Sequence, residues 1–149
     1  MNDQVKHCMR RARLALGCLL LAQEGMDQGQ LTRDEVMAVF AALPPAAEPF
    51  TEPAYNLLYT VLAGMFESAR RIDAVTLAHE LEQRGLLERV GGRSMLADVV
   101  LSVPSPAGLA SYAAIVQDCF RRRQIAASAL KLARAACDLG TPSGNPFLA

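Results

Sequence analysis

The sequence predicts an all-α protein, a compact bundle of five to six helices that ends in one long helix. Apolar residues recur along most of the chain at the 3–4 residue spacing of amphipathic helices. Capping residues, glycines and prolines divide this pattern into helical segments. The last segment, from Pro106 to Gly140, is longer than 30 residues, well above the usual length of about 8–20 residues. The chain of 149 residues is long enough for one domain with a real core.

The first predicted helix runs from about Asp3 to Glu24, where basic residues precede an apolar stretch. This order imitates a secretory signal, or a lipoprotein cleavage site at Cys18. Only four residues separate Arg13 from Cys18, however, fewer than the usual apolar region of about 7–15 residues. The apolar stretch 14–22 is also shorter than the roughly 20 residues that span a membrane. We therefore expect a buried helix and a cytoplasmic protein without a membrane partner.

The next two helices begin and end at recognisable residues. Thr32 and Glu35 form a capping box, in which each side chain bonds to the main-chain N–H of the other residue. The helix that follows should end at Pro44-Pro45. Thr51 is expected to cap the next helix, with Pro53 in its first turn. This second helix is the predicted core helix because it carries a broad apolar stripe made of Tyr55, Leu58, Tyr59, Leu62, Met65 and Phe66.

Asp73 is a suitable N-cap for a further helix, and Ile72 and Leu77 are placed to form a hydrophobic staple around it. Gly85 should end this helix in a Schellman-type turn. Gly91-Gly92 then separates it from a short helix, which ends at Pro104. Ser105 is expected to cap the last helix, with Pro106 at its first position. The predicted core of this region consists of Leu77 and Leu81 against Leu96 and Val99, with Tyr59 and Leu62 behind them.

The second half of the long helix, Gln124 to Leu139, is alanine-rich and apolar on more than one side. A small globule has little surface left to cover it, and exposed apolar patches of this size are rare on monomers. We therefore expect a partner helix. The predicted organisation is a globular helical domain at 1–105, a long helix at 106–140 that closes the globule and extends to a partner, and a flexible tail at 141–149.

The sequence offers no catalytic or cofactor chemistry. Its four cysteines form no C-x-x-C pair, and the two histidines lie at no ligand spacing to them. No G-x-x-x-x-G-K-[ST] loop is present to cradle nucleotide phosphates. Lysine plus arginine and aspartate plus glutamate number 15 each, which argues against a wholly basic nucleic-acid-binding protein. We predict no catalytic, cofactor-binding or metal-binding residue and a protein that is not an enzyme.

The ordered pattern over residues 72–116 resembles the N-terminal domain of the DnaB-type replicative DNA helicases. No single motif in it is catalytic or very specific; the order and spacing of the set carry the resemblance. The matching residues are Ile72-Asp73, Thr76-Leu77, Leu81, Gly85, Val90-Gly91-Gly92, Leu96, Pro104-Ser105 and the run from Ser111 to Val116.

The resemblance implies a role in replication without a motor. In that family the domain builds a collar of dimers above the motor ring and is the docking surface for primase. In that family the long helix is the first arm of a helical hairpin. It is followed by a second arm, a linker and a RecA-like motor domain. This sequence stops before the second arm. It therefore represents either a fragment of a full helicase or a free-standing relative, and the sequence leaves both open.

Three functions compete. The first is an interaction module that mediates oligomerisation and docks a DnaB-type helicase or DnaG-type primase. The second is a free-standing regulator of host helicase assembly or loading, encoded for example by a mobile element. The third is a small helical DNA-binding domain that would use Arg10, Arg11, Arg13 and Arg121–Arg123, and its binding would weaken steeply with salt. Because the net charge of the chain is zero, we predict that direct DNA binding is weak or absent.

The predicted interface lies on one face of the long helix. The residues recur at 3–4 residue spacing, so that their side chains project on the same side. They are Phe120, Arg123, Ala127, Leu130 and Arg134, with the two arginines at the rim. They are expected to serve a homo-oligomer, dimeric or higher, or a replication partner.

Overall fold

The computed structural model describes residues 3–138, and all the regular elements in that range are helices. This confirms the predicted all-α fold that ends in a long helix. Three short 3-10 helices, Pro45–Ala47, Glu88–Val90 and Pro106–Gly108, connect the α-helices. The α-helices are α1 (Asp3–Leu20), α2 (Ala22–Asp27), α3 (Arg33–Ala42), α4 (Pro53–Glu67), α5 (Ala74–Gln83), α6 (Gly92–Leu101) and α7 (Leu109–Cys137).

The chain divides into two compact units. The first extends to Gln117 and contains α1 to α6 with the first turns of α7. The second begins at Asp118 and contains the rest of α7. Within residues 3–138, no single helix combines the length and apolar character needed to cross a membrane; the bent pair Gly92–Leu101 and Pro106–Cys137 meets that test only jointly.

Two helix starts follow the predicted capping chemistry. The main-chain N–H of Glu35 donates to Thr32 Oγ1 at 3.2 Å, and the N–H of Thr32 donates to Glu35 Oε2 at 2.7 Å. At α5, the N–H of Thr76 donates to Asp73 Oδ1 at 2.8 Å, and Thr76 Oγ1 accepts from the N–H of Asp73 at 3.1 Å. The predicted cap at Thr51 is wrong, since the residue at the N-cap of α4 is Glu52 and its side chain makes no capping bond.

The end of α5 has the predicted Schellman geometry. Gly85 has a φ of +68°, a left-handed conformation that favours glycine. The N–H of Leu86 donates to the carbonyl oxygen of Leu81 at 2.8 Å, and the N–H of Gly85 donates to that of Glu82 at 3.0 Å. These bonds satisfy carbonyl groups that the end of a helix would otherwise leave without partners.

The core is centred on α4, against which α1 and α5 pack. Tyr59 is fully buried, and its hydroxyl donates to the carbonyl oxygen of Leu43 at 2.7 Å, so its polar atom is satisfied. The rings of Phe40 and Phe50 lie 5.2 Å and 5.0 Å from the Tyr59 ring, between centroids. The six residues predicted for this part of the core are all at most 2% exposed: Tyr59, Leu62, Leu77, Leu81, Leu96 and Val99.

The predicted first helix is interrupted. A continuous helix was expected as far as Glu24, whereas α1 ends at Leu20 and α2 starts at Ala22. The apolar residues around this break, including Leu16, Leu19 and Leu20, are buried, as expected for an internal helix.

Candidate interaction surface

The last helix changes character along its length. In the first unit, Leu109, Ala113 and Val116 are buried and fix its first turns to the globule. From Arg121 to Asp138 none of the described residues is buried. Ser105 caps the short 3-10 helix Pro106–Gly108 and not the long helix itself. The long helix therefore starts at Leu109, three residues later than predicted. The last two residues of the helix predicted at 106–140 and the whole tail predicted at 141–149 lie outside the described residues.

All five residues predicted for the interface lie in α7 within the second unit. Phe120 and Arg123 are half-buried, and the Cζ atom of Arg123 lies 5.7 Å from the centroid of the Phe120 ring, within reach of a cation–π contact. Ala127, Leu130 and Arg134 are exposed, Leu130 by 53%. Their spacing of 3–4 residues places the five side chains on one face of the helix. On this face the aromatic ring of Phe120 is followed by the aliphatic side chains of Ala127 and Leu130, and then by Arg134.

A second apolar stripe lies on another side of the same helix. Ile125 is 70% exposed and Leu132 is 46% exposed, and both are larger than the alanines around them. Leu130 and Ile125 are five positions apart, which places them about 140° from each other around the helix axis. The helix therefore presents apolar side chains in two directions, as the alanine-rich pattern predicted.

The second half of α7, residues 124–137, carries only positive charges. Residues 124–137 contain two cations, Lys131 and Arg134, and no carboxylate. Upstream, Arg122 Nε lies 2.9 Å from Asp118 Oδ2, one helical turn earlier. Both partners of this pair are more than 60% exposed, so the pair contributes little to stability.

The basic residues of α1 are only partly a solvated face. Lys6 and Arg10 are exposed, and Lys6 Nζ lies 3.9 Å from Asp3 Oδ1. Arg11 is half-buried with its Cζ atom 6.0 Å from the centroid of the Tyr112 ring. Arg13 is also half-buried, and its Nε atom has no hydrogen-bond partner. This burial removes two of the arginines from the freely exposed set that a DNA-binding face would use.

An apolar groove in the first unit was missed from the sequence. It lies between α3 and the first turns of α7 and has a volume of about 240 Å³. Its floor is formed by buried residues Val39, Leu43 and Ala113. The signal present in the sequence is a set of alanines at helical spacing on α3 and α7. The exposed residues that complete the lining are Glu35, Ala38, Ala42, Ala110 and Ala114, with Gln117 half-buried at one end.

Cys18, in the first unit, is a buried thiol. The thiol of Cys18 donates to the carbonyl oxygen of Ser105 at 3.6 Å, and burial raises the pKa of Cys18 to about 12. Such a thiol stays protonated and is a poor nucleophile. Among residues 3–138, no group of three or more histidine, cysteine, aspartate or glutamate side chains is placed to hold a metal ion.

Residues 13–118 match the family model described as the DnaB-like helicase N-terminal domain. Two similar proteins are each named as a replicative DNA helicase. The one from Mycobacterium leprae (strain TN), DnaB, is 33% identical over 100 residues, which are 66% of this chain and 16% of that protein. The one from Bacillus subtilis (strain 168), DnaC, is 31% identical over 87 residues, which are 58% of this chain and 19% of that protein.

A solved structure is similar over most of the chain. It is the crystal structure of the N-terminal domain of DnaB helicase from Mycobacterium tuberculosis. The two structures superpose with a TM-score of 0.72 at 28% sequence identity, and the match covers 85% of this chain and 83% of that chain. The chain thus spans less than a fifth of the length of the curated relatives it matches, but most of a solved N-terminal domain.

Proposed function

Because the chain belongs to the DnaB-like helicase N-terminal domain family, we propose that it is a protein–protein interaction module of DNA replication. It forms a homo-oligomer and docks a DnaB-type helicase or a DnaG-type primase in the cytoplasm. It has no motor activity of its own. The similarity to replicative helicases supports the link to replication, and the match to an N-terminal domain alone supports a role in recognition.

The observation that carries this proposal is the exposure of the second half of α7. Ile125, Leu130 and Leu132 are between 46% and 70% exposed on one short stretch of helix. Burying such side chains is favourable by about 25 cal/mol per Å² of apolar surface. A specific complex needs about 800 Å² of buried surface on each partner. The helix offers the apolar part of such a surface, and Arg123 and Arg134 would lie at its rim.

Self-association is tested by light scattering on the purified protein across a range of micromolar concentrations. We expect a dimer or larger species, and Leu130→Asp should shift it toward the monomer without unfolding the first unit. The matched control is Leu101→Asp, since Leu101 is 83% exposed in α6, outside the proposed surface. A wild-type protein that stays monomeric at every concentration would refute self-association.

Docking of a replication protein is tested by a pull-down with purified helicase and purified primase. The wild type should retain one of the two, and Leu130→Asp should retain less. If neither protein is retained, the docking role is lost and only self-association remains. The absence of motor activity is tested separately by ATP turnover, which should stay at background through successive purification steps.

A further inference from the structure

We infer that the α3–α7 groove receives the second half of α7 from a second copy of this chain. The groove is the one lined by Glu35, Val39, Ala113, Ala114 and their neighbours. The segment 124–137 is called the α7 arm below. This contact presupposes the self-association proposed above and identifies the surface on which the arm docks.

The shape of the groove suits a helix. Its volume of about 240 Å³ is smaller than that of a typical small-molecule pocket, which is about 300–1,000 Å³. The walls consist largely of exposed alanines, including Ala38 on α3 and Ala114 on α7. Short side chains let a third helix approach to the usual interaxial distance of about 8–10 Å. A protruding leucine can then enter between them, as a knob enters a hole in a coiled coil.

The α7 arm has the side chains that such a groove accepts. Leu130 is an exposed leucine among alanines, so it is a single protruding apolar group on its face. Arg134 follows one turn later on the same face. With Leu130 in the groove, the guanidinium of Arg134 would lie at the edge of the groove rather than in its apolar floor.

Charge favours this pairing. The groove lining contains one carboxylate, that of Glu35, and no cation. The α7 arm contains Lys131 and Arg134 and no carboxylate. A carboxylate has four acceptor positions, so Glu35 can keep its capping bond to Thr32 and still accept from a cation of the arm. Two arms docked against each other would instead bring four cations together without a counter-charge.

A second copy is the occupant because the chain carries both halves of the contact. Two copies related by a two-fold axis would each insert an arm into the groove of the other, so the contact is made twice. Both contacts count toward the roughly 800 Å² per partner that a specific interface needs. Reciprocal exchange also closes the assembly at two copies for this contact.

The test blocks each side of the contact separately. Ala114→Phe fills the groove from an exposed wall position, and Leu130→Asp removes the knob from the arm. Ala97→Phe is the matched control, because Ala97 is exposed in α6 and does not line the groove. Circular dichroism and thermal melts establish that each variant is folded. We expect Ala114→Phe and Leu130→Asp each to weaken dimerisation at least tenfold in light scattering, and Ala97→Phe to leave it unchanged.

Mixing the two blocked variants is the decisive step. A heterodimer of Ala114→Phe with Leu130→Asp retains one intact contact, between the arm of the former and the groove of the latter. A tagged copy of one variant should therefore capture the other better than it captures itself. Ala38→Phe, on the opposite wall, should behave like Ala114→Phe in the same mixture.

The outcomes separate this contact from self-association in general. If the groove variants dimerise like the wild type, the arms pair in another way and only the groove contact is refuted. If both single variants are weakened but the mixture shows no preferential capture, arm and groove do not contact each other. If the groove variants keep the dimer and lose a retained helicase or primase, the groove binds that partner instead. A monomeric wild type would refute both proposals.

Discussion

Gly17 in α1 lies directly against the main-chain oxygen of Val99 in α6. A Cβ atom at position 17 would lie 2.7 Å from that oxygen and would also overlap the side chain of Val103. Because real Cβ atoms essentially never come within 3.0 Å of such atoms, only glycine allows the two helices to pack this closely. The contact joins α1 to α6, which lies within residues 72–116, the part of the sequence that resembles the DnaB N-terminal domain.

Replacing Gly17 by alanine should therefore destabilise the protein. Added volume in a packed interior costs about 1–3 kcal/mol, more than the gain from the better helix propensity of alanine. The free energy of unfolding is measured by urea denaturation. Gly64→Ala in α4 is the matched control, since a Cβ atom there meets nothing within 4 Å. It should stabilise by about 0.5–1 kcal/mol, and a similar gain at Gly17 would contradict the close packing of α1 and α6.

The buried leucine of α5 should matter more than its cap. Leu81 is completely buried, so Leu81→Ala should cost about 2–5 kcal/mol. Asp73→Ala removes one capping bond and should cost about 0.5–2 kcal/mol. Denaturant melts of both variants under the same conditions measure the order. A larger loss for Asp73→Ala would mean that α5 is held mainly by its N-terminus rather than by its apolar face.

Sequence reasoning succeeded where the determining contacts are local. The predicted capping box at Thr32, the N-cap at Asp73 and the turn at Gly85 involve residues within six positions of one another, so each partner lies close by in the sequence. It failed at Thr51 for a reason that is also local. A residue before proline is restricted to extended backbone, so Glu52, which precedes Pro53, takes the N-cap position with φ −82° and ψ 120°.

The groove could not be predicted, because it depends on the distance between two helices far apart in sequence. Ala38 and Ala114 are separated by more than 70 residues, and alanine is common on any helix surface. The break at Leu21 is equally invisible in the pattern, since the flanking apolar residues continue the helical spacing. The exposed face of the long helix was predicted, since a run of apolar residues longer than the globule can cover is visible in the sequence itself.

Acid should weaken the charged cluster at Glu80. Arg70 Nη1 lies 2.6 Å from Glu80 Oε2, and Arg84 Nε lies 2.9 Å from Glu80 Oε1. Hydrogen bonds from Arg70 and then Arg84 hold the pKa of Glu80 below its ordinary value of 4.5. The contribution to stability is therefore fully present above pH 4.5 and is lost as the pH falls through the lowered pKa of the folded protein.

Glu80→Gln measures this effect. The variant should be less stable than the wild type at pH 7 in urea melts, and the difference should shrink once the pH falls below 4.5. Arg70→Gln combined with Glu80→Gln completes a double-mutant cycle that isolates the pair. A difference that stays constant at all pH values would assign the effect of Glu80 to packing instead of charge.

The helical state of the α7 arm should depend on protein concentration. Every residue from 124 to 137 is exposed, so buried contacts within the chain do not support this stretch. Isolated helices shorter than about 12–15 residues are marginal in water, even when they are rich in alanine. If a second chain covers the arm, amide hydrogen exchange of residues 124–137 should slow as the protein concentration rises, whereas exchange in α4 should not change. Leu130→Asp should abolish this concentration dependence while the core amides remain protected. Fast exchange in the arm at every concentration, in a sample that light scattering shows to be oligomeric, would place the contact between copies elsewhere on the molecule.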